Sequence, residues 1–166
     1  QKMQEDAQRY LCIKPQRIKK ISLGVDIQSN NSRSRDAMRA SLNIPDECFV
    51  IANIGRVDPL KGQHIFVQAL EAFLNKYPEL SPPDKASKVI GLIVGDTMDQ
   101  AYAQALKNNI NQNKLPIQWL GFRDDIADIL QAADIVCVTT KNETFGLIAV
   151  EAQLAKRLVI ASDSGG

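Results

Sequence analysis

From Cys48 onward the chain alternates short, continuous apolar runs with segments of helical period, and that alternation leaves few folds open. CFVIANI (Cys48 to Ile54) reads as a buried strand. Gly62 to Lys76 follows as a helix, with Ile65, Phe66, Ala69, Leu70, Phe73 and Leu74 expected on one face. The unit then repeats: Val89 to Val94 as strand, Asp99 to Asn111 as helix, Ile117 to Leu120 as strand, Asp125 to Ala132 as helix. Asp134 to Thr140 as strand, Gly146 to Ala155 as helix and Leu158 to Ser162 as strand complete it. Strands that are apolar throughout, rather than alternately, have both faces covered. With helices between them they form a doubly wound parallel α/β sheet of Rossmann type.

The N-terminal part is less periodic. It carries a helix at Lys2 to Leu11, a strand near Ile18 to Leu23 and a polar loop from Ser29 to Arg35. Tyr77 to Lys88, with three prolines, reads as a loop inside a single domain spanning residues 1–166 rather than a linker. After the last strand only SDSGG remains, where another covering helix is expected, so the chain reads as a fragment or as one ending in disorder.

Composition narrows the function. Twenty basic residues against nineteen acidic ones give a net charge of +1, so no diffuse field recruits nucleic acid or an anionic membrane, and any phosphate recognition must be local. Cys12, Cys48 and Cys137 are widely spaced, and His64 is the one histidine, so no metal site is expected. Cys48 and Cys137 lie in apolar runs and read as buried thiols, consistent with a reducing, cytoplasmic setting. No run is long enough to cross a bilayer, and the N-terminus lacks a signal-peptide core; membrane-surface association through parts of a parent protein stays open.

In open parallel sheets, ligands bind at the carboxyl ends of the strands, and three loops there carry chemistry. GRVDPLKGQ (Gly55 to Gln63) lets backbone approach closely at Gly55 and sets Arg56 and Lys61 near a helix N-terminus, an arrangement suited to a diphosphate; the alternative is two solvated surface cations. It matches neither dinucleotide-binding nor P-loop spacing. In KNETFGLIAVEAQLA (Lys141 to Ala155), helical geometry puts Glu151 on one face with Leu147, Val150 and Leu154. Such a carboxylate needs a partner, either a ligand or an internal Lys or Arg. Glu143 stands at the loop-to-helix junction as a ligand group or a capping acid, and Gly146 leaves first-turn amides open. In WLGFRDD (Trp119 to Asp125), Gly121 either admits a flat ligand such as a base or is a turn glycine before an Asp-capped helix.

Taken in order, these segments resemble the donor domain of the group 1 glycosyltransferases, glycosyltransferase family four. IGRVDPLKG resembles that family's G-R-x-x-x-x-K-G loop, and NETFGLIAVEA (Asn142 to Ala152) its pair of glutamates with seven residues between. LGVD (Leu23 to Asp26), IVGD (Ile93 to Asp96), WLG, ADIVCVTT and VIASDSGG fall in the family's order, so the resemblance runs from about Ile18 to the end. It implies the C-terminal half of a two-domain GT-B enzyme, with the acceptor-binding domain and final helices absent.

The resemblance also implies roles. Arg56, Lys61 and Glu143 would be catalytic, the two cations holding the diphosphate and Glu143 the hydroxyls of the transferred sugar. Phe145, Gly146 and Leu147 would offer backbone amides to sugar and β-phosphate. Glu151 would bind the ribose, with Gly121 and Phe122 near the base and Gly55 giving close backbone approach. The implied reaction is retaining hexosyl transfer from a nucleoside-diphosphate sugar, for example a UDP- or GDP-hexose. It uses no cofactor and no metal, its sugar, lipid or other acceptor is undefined, and the isolated chain is expected to be inactive. A non-catalytic nucleotide-sugar-binding module and a GT-B-like epimerase are the rival readings. Where the family usually has glycine and proline before the last strand, this chain has Lys156 and Leu158, and Leu23 replaces an asparagine.

Overall fold

A computed structural model describes residues 2–19, 24, 33–82, 85–143 and 145–164. Five parallel strands form one sheet in the order β3-β2-β1-β4-β5: β1 Phe49–Ile54, β2 Val89–Val94, β3 Ile117–Gly121, β4 Ile135–Val138 and β5 Leu158–Ala161. The helices are α1 Lys2–Leu11, α2 Arg35–Ser41, α3 Gln63–Lys76, α4 Gln100–Gln112, α5 Ile126–Ala132 and α6 Leu147–Leu154. The doubly wound class and the α1 helix stand as expected. The strand expected near Ile18 and the Leu23–Asp26 segment lie outside the described residues, except for Ile18 and Lys19, which are irregular, and Gly24.

The strand residues explain why both faces are covered. Along β1 and β2, Val50, Ala52, Leu92 and Val94 enter one core cluster with Met38 of α2, Leu42 just after it, and Ile129, Leu130 and Ala152 from α5 and α6. Ile51 and Ile93, one residue out of step, enter the other, with Phe66 and Val67 of α3 and Ala103, Leu106 and Ile110 of α4. At roughly 25 cal/mol per Å² of apolar surface removed from water, each Val, Leu, Ile, Met or Phe among them contributes about 1.5–3 kcal/mol when fully buried.

Two expectations are corrected, and one helix is added. The buried stripe of α3 is Gln63, Phe66, Val67, Leu70 and Leu74, so Ile65, Ala69 and Phe73 face outward. On α6 the core takes Ile148, Ala149, Ala152 and Ala155, leaving Leu147 and Leu154 exposed beside Glu151 on the opposite side. Helix α2, unforeseen, begins with Ser34 as N-cap, its hydroxyl accepting from the Ala37 amide.

Helix α2 is fastened by charge. The Arg39 guanidinium, 1% exposed, donates to the carbonyls of Ala132, Asp46 and Cys48 and to the Asp134 carboxylate. Burial alone would raise the Asp134 pKa; the Val50 amide with Arg35 and Arg39 outweighs it and holds the carboxyl below its ordinary range. Cys48 is buried and donates to the Ser87 carbonyl, Cys137 is half-buried with its thiol pushed up to about 11 by desolvation, and Cys12 is exposed. No described helix is long and apolar enough to cross a membrane.

Candidate functional site

The strand order reverses between β1 and β4, and at such a point the loops leaving the carboxyl ends part to form a crevice. Here the loops after β1, β2 and β3 are first stitched together. The Gly55 amide donates to the Val94 carbonyl, Gly95 to Gly121, Val57 to Asp96 and Met98 to Val57. Gly95 is required for this: at φ +149° a Cβ on it would lie 1.9 Å from the Gly55 carbonyl oxygen.

The loop from Gly55 to Gly62 is clamped from the β4 side. Asn53, buried in β1, donates to the Cys137 carbonyl and to the Thr139 hydroxyl, which donates to the Lys61 carbonyl. The Lys141 amide donates to the Leu60 carbonyl. The cation-bearing loop and the glutamate-bearing loop are thus tied by backbone and short side chains, which leave little rotameric freedom.

Between them opens a cleft of about 600 Å³. Of the residues expected from sequence, Gly55, Arg56, Lys61, Phe122, Glu143, Phe145, Gly146, Leu147 and Glu151 line it. Gly121 does not; its carbonyl accepts from Gly95 and a Cβ on it would meet nothing within 4 Å. Ile54, Val94, Ile126 and Ile148 add an apolar floor, and Met98, Gly95, Asp96 and Arg123 complete the lining. None of these eight was singled out as a site residue. The IVGD and FRDD segments were the available signal for Gly95, Asp96 and Arg123.

The electrostatics differ from a simple cation pair facing an acid pair. Lys61 Nζ lies 2.9 Å from Glu143 Oε2, an ion pair across the cleft wall between residues far apart in sequence. Arg56 is exposed, and among the described residues its guanidinium has no ion pair. Glu151 has no ion pair among the described residues either, and burial raises its pKa. Arg123 Nε donates to Asp125 Oδ1 at 2.8 Å. Asp125 therefore stands at the N-cap of α5 without capping it, contrary to the Asp-capped helix weighed above.

Helix α6 opens into the cleft. Its N-cap is Gly146 at φ +75°, a residue with no side chain of its own to cap the helix. The first-turn N–H groups and the positive end of the helix dipole are turned toward whatever occupies the cleft. Phe122, 73% exposed, Met98, Phe145 and Leu147 form an apolar rim. Chemically the site combines two cations, the first-turn amides of α6, two carboxylates and an exposed aromatic ring, a set suited to a ligand with phosphate, hydroxyl and flat heterocyclic parts. Among the described residues no three His, Cys, Asp or Glu side chains group as a metal ion would need.

Comparison with known proteins agrees with this architecture. Residues 34–166 match the family model of the glycosyl transferases group 1. The D-inositol 3-phosphate glycosyltransferase of Saccharomonospora viridis is 31% identical over 161 residues, covering 92% of this chain and 36% of that protein. Its counterpart from Corynebacterium glutamicum is 30% identical over 173 residues, covering 100% and 40%. The chain thus spans well under half the length of these curated relatives. Among solved structures, HepE of Anabaena in complex with UDP and glucose superposes with a TM-score of 0.74 at 32% identity, covering 88% of this chain and 38% of that one. The C-terminal domain of LpcC, a glycosyl transferase group 1 family protein from Francisella tularensis, gives 0.68 at 29% identity, covering 83% and 70%. The chain belongs to the glycosyl transferases group 1 and has the fold of their C-terminal GT-B domain.

Proposed function

We propose that this chain is the donor-binding domain of a retaining hexosyltransferase and holds a nucleoside-diphosphate sugar in the cleft. The observation that carries the reading is convergence: Arg56 and Lys61 from one crossover and Glu143, Glu151 and the α6 N-terminus from another line a single cleft. HepE of Anabaena, in complex with UDP and glucose and with UDP-glucose, favours a UDP-hexose over a GDP-hexose.

Arg56 and Lys61 hold the diphosphate and neutralise charge as the nucleoside diphosphate leaves, a role a metal ion fills in other enzymes; each charge-assisted hydrogen bond contributes roughly 1.5–3 kcal/mol. Lys61 gives up part of its contact with Glu143 to do so, which releases the Glu143 carboxylate toward the sugar hydroxyls. The amides of Phe145, Gly146 and Leu147 face sugar and β-phosphate. Glu151 takes the ribose, and its raised pKa fits a carboxyl that waits for hydroxyl donors. Phe122 offers its ring to the base, with Gly121 and Gly55 shaping the backbone around it. No cofactor beyond the substrate is needed. Transfer requires groups from the part of the relatives' length that this chain does not span, so the chain alone binds donor without transferring sugar.

Incubating the longest available form of the parent with UDP-glucose and GDP-mannose tests this. Released nucleoside diphosphate with a glycosylated acceptor supports it; an epimerised sugar nucleotide favours the epimerase; binding without turnover favours a non-catalytic module.

A further inference from the structure

The side chain of Gln63 opens the cation loop's underside to a second, smaller ligand. Gln63 is the first residue of α3 and 1% exposed. Its Nε2 donates to the Arg56 carbonyl at 2.9 Å. That bond fixes the amide's orientation, because a flipped amide would set two carbonyl oxygens against each other. Oε1 is thereby turned away from the loop, and it is buried with no hydrogen-bond partner among the described residues. Leaving such an acceptor unsatisfied is costly, and native structures rarely do.

Gln63 also lines a cavity of about 20 Å³ that lies against Lys61, Thr140 and Glu143. Space of about 10–15 Å³ with two to four polar partners holds one water molecule. The volume excludes a sugar or a phosphate.

We infer that one water is enclosed beneath the Lys61–Glu143 ion pair, donating to Gln63 Oε1, and that Gln63, through this water and the Arg56 carbonyl, is the positioning residue of the cation loop. The water stands on the geometry alone; its effect on ligand binding rests on the donor reading above.

Two measurements test it. A crystal structure of the chain should show density for one water within hydrogen-bond distance of Gln63 Oε1. An empty cavity, or a rotated Gln63 whose oxygen meets a protein donor, overturns the inference whether or not the chain binds nucleotides. Titrating Gln63→Met by NMR with UDP and with uridine separates positioning from general damage. UDP affinity should fall about tenfold, the weight of one lost hydrogen bond, while uridine, lacking the diphosphate, binds as to the parent chain. Equal losses for both ligands, or none for UDP, contradict the positioning role. A wild-type chain that ignores UDP defeats the donor reading and leaves the crystallographic test to decide the water.

Discussion

Replacing Glu143 by glutamine should tighten UDP binding, although Glu143 is placed among the catalytic groups. Lys61 Nζ lies 2.9 Å from Glu143 Oε2, with the two side chains 27% and 22% exposed. A diphosphate must draw Lys61 from that partner. A charge-assisted hydrogen bond contributes roughly 1.5–3 kcal/mol when desolvated, and an exposed ion pair about 0.2–1 kcal/mol. A mostly covered pair falls between, at about 1–1.4 kcal/mol, or a roughly five- to tenfold change in affinity. Glu143→Gln keeps the shape and removes the charge, so calorimetry should show UDP binding about five- to tenfold tighter. Any direct repulsion of the diphosphate by Glu143 survives in a Lys61→Met background, whereas the ion-pair share vanishes; more than half of the gain should disappear in that double-mutant cycle. UDP-glucose should gain less than UDP, because its sugar loses a charged acceptor. Unchanged or weaker UDP binding by Glu143→Gln, or a full gain persisting without Lys61, would refute the reasoning.

Other outcomes follow from particular residues. Glu151 has its pKa raised by burial, so the folded chain binds protons more tightly there than the unfolded one. Its contribution is most favourable below the ordinary carboxylate range and is lost as pH rises toward the raised value. Urea unfolding of Glu151→Gln should lack that decline; an identical pH profile for both proteins would contradict it. Lys156 holds φ +60° at the end of α6, where the family usually has glycine. Left-handed backbone costs an L residue about 1–2 kcal/mol, and glycine returns part of this as unfolded-state entropy. Lys156→Gly should therefore stabilise by about 0.5–1 kcal/mol in urea, and a loss would count against the helix-end argument. Gly62 and Gly121 share positive φ, but a Cβ on Gly62 would sit 2.2 Å from the Thr139 carbonyl oxygen while one on Gly121 meets nothing within 4 Å. Gly62→Ala should cost more than about 3 kcal/mol and Gly121→Ala about 1–2 kcal/mol; equal costs would show that the clamp on the cation loop is loose.

The sheet was legible because its strands are apolar without alternation, a pattern that two covering helix layers impose locally on each strand. Helix faces were less so. Ile65 and Phe73 are apolar yet outward, and Gln63 is polar yet buried, because Gln63 answers to the Arg56 carbonyl rather than to hydrophobicity. Helix α2 escaped because RDAMRAS is short and charged, and its anchor, Arg39, is satisfied in part by Asp134 and the Ala132 carbonyl, both distant in sequence. The same separation hid the Lys61–Glu143 contact: each residue was marked for its own chemistry, and only folding sets their charges against each other. Ordered motifs identified the loops that build the cleft, whereas its apolar floor of Ile54, Val94 and Ile126 looked like ordinary strand and helix sequence.

The central claim is that the cleft at the reversal of strand order holds a diphosphate between the cation loop and the N-terminus of α6. A co-crystal structure with UDP measures this most directly. The account predicts the diphosphate within hydrogen-bond reach of Arg56, Lys61 and the amides after Gly146, with Glu151 on the ribose. UDP bound on another surface, or an empty cleft at saturating UDP, would contradict it.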